Sequence, residues 1–116
     1  MREIEFYKTE TGNSPVEEYL STLTIKQAEK VYWVLKIIEE IEMIPAEYFK
    51  KLPGTDNIYE VRVQLGNNIF RILGFFDGHH LIILNHAFTK KTQKTPKKEI
   101  KLAEKRKDEY DERRGR

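Results

Sequence analysis

The stretch from Ile58 to Lys91 constrains the fold most, because it reads as three consecutive strands and a basic exit. IYEVRVQL leads into a Gly-Asn-Asn turn, IFRILGFF into Asp77-Gly78, and HLIILNHAF into Thr89-Lys90-Lys91. The first run alternates with period two, so Tyr59, Val61, Val63 and Leu65 share one face and Glu60, Arg62 and Gln64 the other. That is the pattern of an antiparallel strand with one face in the core and one carrying charge. In the second run Arg71 is the only charged residue between Ile69 and Phe76, so an otherwise apolar strand carries a guanidinium at its middle. Asp-Gly between two apolar runs marks a hairpin, since glycine supplies the positive φ of a tight turn. The third run has no polar face until Asn85 and His86, which suits a central strand covered on both sides.

The upstream residues read as cover for this sheet. EIEFYK, residues 3–8, puts Ile4 and Phe6 on one face of a short first strand that joins the later three as an edge or inner partner. Ser14-Pro15-Val16-Glu17 opens a helix that ends near Leu23: Ser caps, Pro occupies the first helical position, and Glu17 can reach back to the cap. Thr24-Ile25-Lys26-Gln27 repeats the signature for a longer helix from Ile25 to Met43, stopped by Pro45. Its stripe is Ala28, Val31, Leu35 and Ile38, widened by Tyr32, Val34, Ile37 and Ile41. At ~1.5 Å per residue such a helix crosses a sheet. The broad apolar face of the hairpin, with Trp33 its largest side chain, is expected to cover that sheet rather than hold a cofactor.

Residues 46–57, AEYFKKLPGTDN, read as an irregular connection anchored by Phe49 and Leu52, with a turn at Pro53-Gly54. Thr95-Pro96 caps a last helix running through Ala103 toward Tyr110, and residues 108–116 have little to bury and are expected to fray. The expected fold is α+β over one domain, residues 1–116. It has a twisted, mainly antiparallel four-stranded sheet, a two-helix hairpin on one face, and a basic C-terminal helix at its edge.

With 116 residues and no cysteine, the chain has neither a disulfide framework nor a thiolate metal site available, and a reducing cytoplasm is the expected compartment. A chain of this length buries roughly two thirds of its unfolded surface, enough for a core without staples. Its apolar runs are far shorter than the ~20 residues that span a bilayer, and Met-Arg-Glu-Ile-Glu is no signal peptide, so no membrane partner is expected. Charge is more telling: residues 1–88 carry nine Lys or Arg against thirteen Asp or Glu, whereas residues 89–107 carry nine against two. Basic charge concentrated behind the last strand suits a polyanion such as a nucleic acid, and suits equally a solvated basic helix.

Metal-ligand spacing, nucleophile motifs and phosphate-cradling glycine loops are all missing from the sequence, and His79 and His80 read as exposed hairpin residues. What remains is a cluster implied by strand parity. Glu60 and Arg62 share a face, Arg71 comes from the next strand, and Lys90 and Lys91 leave the third. Arginine and lysine in one groove can bind a phosphodiester and stabilise the charge that grows in its transition state. Glu60 is then the one plausible carboxylate base for a ribose 2′-hydroxyl. The alternative is that Glu60 simply pairs with Arg62 or Arg71 across an exposed face, a contact worth roughly 0.2–1 kcal/mol.

Lys51-Leu52, IYEVRV, the FRI of Phe70-Arg71-Ile72 and above all NHAFTKKTQKTPKKEI from Asn85 to Ile100 resemble the RelE/ParE toxin superfamily, specifically its phage-derived HigB-like branch. The resemblance implies a RelE-like fold and the toxin of a type II toxin–antitoxin pair, a ribosome-dependent endoribonuclease that cleaves messenger RNA by 2′-hydroxyl attack without metal or other cofactor. It implies as partners a helix-turn-helix antitoxin, joined in a heterotetramer, together with the ribosome and the message. Arg71 matches the mid-strand arginine that contacts the phosphate, and Lys91 the basic residue just past the final strand. Arg62 stands where relatives place one of two lysines and Glu60 where they place the other, so either Glu60 abstracts the proton as a carboxylate or the mechanism differs from theirs, with His86 or a lysine as the base. Lys90, Lys94, Lys97 and Lys98 are implied RNA contacts. Relatives also use a tyrosine or histidine near the C-terminal helix; here the nearest are Tyr110 and His86, the latter expected to be buried and hydrogen-bonded. A ParE-like DNA gyrase inhibitor without catalysis is the second function within the same superfamily.

Overall fold

Local signals set the helical hairpin. In the computed structural model, which describes residues 1–89 and 94–115, β1 (Glu3–Phe6) is followed by α1 (Pro15–Ser21) and α2 (Ile25–Glu40). Ser14 Oγ accepts from the Glu17 amide at 3.3 Å. Thr24 and Gln27 close a full capping box, with each side chain bonded to the other's backbone amide. α2 stops at Glu40, short of Met43, because Arg2 reaches over from the β1 side and donates to the carbonyls of Ile38, Ile41 and Glu42 at 2.7–3.0 Å. A guanidinium on open C-terminal carbonyls is a favourable end to a helix.

The chain continues through β2 (Phe49–Lys51), β3 (Tyr59–Leu65), β4 (Asn68–Asp77), β5 (Leu81–Thr89) and α3 (Lys97–Arg113). The architecture is α+β, three helices and a five-stranded mixed sheet ordered β1-β5-β4-β3-β2, in which β1 runs parallel to β5 and the other pairs are antiparallel. The expectation of four strands is corrected by β2, which arises within the supposed irregular connection. Three residues are too few to show a period, and β2 is defined by its partner: Lys50 lies opposite Glu60, and Phe49 stacks on Tyr59 at 5.1 Å.

Val16 and Leu20 of α1, with Val31, Val34, Leu35 and Ile38 of α2, pack on Val61, Val63, Phe70, Ile72, Ile82 and Leu84, and all are buried. Trp33 is not sheet cover: it is 51% exposed on the outer ridge of α2. A second correction concerns α3. It does not sit at the edge of the sheet but lies across the opposite face, where Ile100 and Ala103 pack with Leu52, Ile58, Leu73 and Phe88.

The tail is also more ordered than composition suggests. α3 continues to Arg113 because its last turns find partners from distant segments. Tyr110 Oη donates to Asp77 at 2.6 Å, Tyr7 Oη to Glu109 at 2.8 Å, and Arg113 to the Lys8 carbonyl at 2.8 Å. None of these contacts is local in sequence.

A bulge adjusts the sheet to α3. Leu73 pairs with His86 but Gly74 pairs with Leu84, so Asn85 is an extra residue on β5. Inserting one residue breaks the alternation; the consecutive Asn85 and His86 both meet α3, through Ala103 and Glu99. Gly74 permits the close approach: a Cβ there would stand 2.2 Å from the Ile83 carbonyl oxygen. Among the described residues no helix is long and apolar enough to cross a membrane.

Candidate nucleic-acid interface

On the α3 face, strand register builds two rows of side chains. One runs Lys50, Glu60, Leu73, His86, and the next Arg62, Arg71, Phe88. Arg62 and Arg71 are therefore direct cross-strand neighbours, an arrangement of like charges that costs stability. Strand parity did bring Glu60, Arg62 and Arg71 to one face, as expected. The expectation that this face is open is corrected: Arg71 is 0% and Glu60 1% exposed, since the start of α3 closes over them. Arg71 Nη1 donates to Glu60 Oε2 at 3.4 Å and to Thr95 Oγ1 at 3.1 Å, and the Thr95 hydroxyl donates to the same carboxylate oxygen. Thr95 thus does not cap α3, whose N-cap residue, Pro96, makes no side-chain cap bond. Its hydroxyl is part of a buried triad with Glu60 and Arg71.

Glu60 also reaches a cleft of about 300 Å³ at the β2 edge, lined by Lys30, Ala46, Glu47, Tyr48, Lys50, Glu60, Arg62 and Gln64. Arg62 is held there by backbone too, its amide donating to the Tyr48 carbonyl at 2.9 Å. The cleft wall hence joins one buried carboxylate to three cations, Lys30, Lys50 and Arg62. Lys30 and Lys50 are site residues that sequence reasoning missed. Lys50 was legible only once β2 is known to pair with β3, and Lys30 only once the packed face of α2 is fixed.

Lys94, Lys97 and Lys98 are exposed around the start of α3, and Lys101 and Lys105 continue the exposed basic side. Lys90 and Lys91 lie outside the described residues. Tyr19 and Thr89 share a hydrogen bond that ties the end of β5 to α1. His86 is hydrogen-bonded as expected but only partly buried: its Nε2 lies 2.9 Å from Glu99, its Nδ1 3.4 Å from Arg106, and its ring stacks on Phe88. Tyr110, bonded to Asp77, is anchored about 20 Å farther along β4 than Arg71 at ~3.4 Å per residue. His79 and His80 are exposed in the β4–β5 turn, and among the described residues no group of three or more His, Cys, Asp or Glu could hold a metal ion.

The arrangement is that of a small α+β protein whose sheet edge carries a carboxylate among cations, with a basic helix beside it. The model of the phage-derived Gp49-like protein family (DUF891) matches residues 18–108, and the chain belongs to that family. The family is loosely associated with toxin–antitoxin systems. A comparison with curated proteins gives no significant match.

Proposed function

We propose that the protein is the toxin of a toxin–antitoxin pair and that it inhibits translation as a ribosome-dependent endoribonuclease. The observation that carries this reading is the buried carboxylate of Glu60, backed by Arg71 and Thr95, in the wall of a cleft that Lys30, Lys50 and Arg62 line together with the exposed Glu47. Family membership supports the toxin context, and the RelE/HigB-like resemblance of residues 85–100 supplies the reaction class. In this reading Lys50 and Arg62 hold the non-bridging oxygens of one phosphodiester. Glu60 takes the proton from the neighbouring ribose 2′-hydroxyl, whose oxygen attacks phosphorus. The 5′-oxygen leaves and takes a proton from water, giving a 2′,3′-cyclic phosphate and a 5′-hydroxyl. No metal enters the step as written.

The roles inherited from the resemblance change in one respect. Arg71 is a positioning residue: buried, it holds Glu60 and Thr95 rather than the message. Lys94, Lys97 and Lys98, with Lys90 and Lys91, would track the RNA backbone on the ribosome, and a helix-turn-helix antitoxin would silence the protein in a complex such as a heterotetramer.

The test is single-turnover cleavage of a message on programmed ribosomes by wild type and Glu60→Gln, with end-group analysis of the product. The near-isosteric Gln should lower the rate by roughly 10²–10⁴, with denaturation curves confirming that the variant is folded. A loss under about tenfold removes Glu60 as base. A 3′-hydroxyl product removes the 2′-hydroxyl route, and expression that spares translation but raises DNA-damage signalling would point to gyrase inhibition.

A further inference from the structure

We infer that Trp33 and Tyr48 form a stacking platform for one unpaired base of single-stranded RNA, adjoining the Glu60 cleft; this rests on the RNA reading above. Trp33 is the chain's one tryptophan, and half of it faces solvent although α2 buries Val31, Val34, Leu35 and Ile38 beneath it. It therefore contributes little to the core, and an exposed large aromatic beside a cleft is a feature of binding surfaces. Its ring meets Tyr48 edge-on, with centroids 6.1 Å apart and planes at 88°. Lys30 Nζ stands 4.6 Å from the Trp33 ring centroid.

Lys30 and Tyr48 are the link, because both also line the cleft with Lys50, Glu60 and Arg62. Aromatic faces and cations are thus contiguous, which is the combination that holds single strands: phosphates on Lys and Arg, bases stacked on rings. A base on Trp33 would put its own phosphate near Lys30 and carry the strand into the cleft. A duplex, whose base faces are already stacked, cannot use such a platform. Stacking is indifferent to base-edge pattern, so the platform binds single strands without strong sequence preference.

Because Trp33 is the only tryptophan, its fluorescence reports the site directly. Titration of the full chain with an oligoadenylate of about six nucleotides should quench it saturably, whereas inorganic polyphosphate and a duplex of the same length should not. Trp33→Leu should weaken binding of a fluorescein-labelled oligoadenylate by about 5- to 150-fold, read by anisotropy. Trp33→Phe should recover part of that loss, and matched melting curves should show both variants folded. No quench by oligoadenylate, or equal quench by polyphosphate, overturns the platform. Wild type that cuts messages on ribosomes without any oligoadenylate quench sinks the platform alone. Quench without cleavage sinks the nuclease alone and leaves the platform standing.

Discussion

Beneath α1 and α2 the sheet presents Val61, Val63, Phe70, Ile72, Ile82 and Leu84; beneath α3 the same strands present Glu60, Arg71, Asn85 and His86 among Leu73 and Phe88. Burial alone stabilises the first face, in proportion to apolar area and with little directional demand. The second face buries charge, which is costly unless every partner is in place. Even here Asn85 Oδ1 is buried with no hydrogen-bond partner among the described residues. An apolar α3 face would fold at least as well, so the polar one is explained by position: the Glu60, Arg71 and Thr95 triad fixes where α3 begins and where the carboxylate stands. Three sets of substitutions, taken from the largest expected effect to the smallest, break or sharpen this contrast.

Arg71 and Ile72 are neighbours on β4 that face opposite ways. Arg71→Ala should cost about 3–5 kcal/mol in urea denaturation, because it strands the buried Glu60 carboxylate. Ile72→Val, on the apolar face, should cost only about 0.5–1.5 kcal/mol. Replacing both charges, Glu60→Leu with Arg71→Met, should recover most of the stability while leaving no cleavage, separating folding from chemistry. If Arg71→Ala costs no more than Ile72→Val, the two faces are not held differently.

Gly74→Ala tests the bulge that turns Asn85 and His86 toward α3. The added methyl would meet the Ile83 carbonyl at 2.2 Å, a backbone atom that cannot swing aside. A cost of about 1–3 kcal/mol is expected, with faster amide exchange along α3 if the bulge is what docks it. A loss of stability without faster exchange in α3 would separate the bulge from the helix.

The apolar face was legible in the sequence, since period two in β3 and the i, i+3, i+4 stripe of α2 report burial directly. So were the caps at Ser14 and Thr24, which act within three residues. The α3 face was half legible: parity put Glu60, Arg62 and Arg71 together, but polar alternation implies solvent unless something covers it. What covers it is a helix from the far end of the chain, docked through long-range bonds such as Asn85 to Ala103 and Tyr7 to Glu109. Thr95 illustrates the limit. Its place before Pro96 reads as a cap, and only tertiary contact reassigns the hydroxyl to Glu60.

The smallest effect concerns the far end of α3, where Tyr7 and Tyr110 anchor the helix that composition left loose. Burial first, and then hydrogen bonds to Glu109 and Asp77, push both phenols above their usual value near 10. A raised value means that the folded state favours the neutral phenol. The stability these groups contribute is complete below pH 10, where the unfolded phenols are still protonated, and is lost as pH rises through the folded values. The anchor should therefore loosen only in alkali. Tyr110→Phe removes the Asp77 bond, so it should lower stability near neutrality by about 0.5–1.5 kcal/mol. It should also flatten the alkaline decline, and the gap from wild type should narrow above pH 10. Tyr19 provides the comparison on the other face: burial raises it too, but its partner is the neutral Thr89 hydroxyl, which acts in the opposite sense. Tyr19→Phe should accordingly flatten the decline less. Urea denaturation at neutral and alkaline pH, with phenolate absorbance recorded alongside, measures all three proteins. If wild type and Tyr110→Phe decline in parallel, the Asp77 bond does not anchor α3.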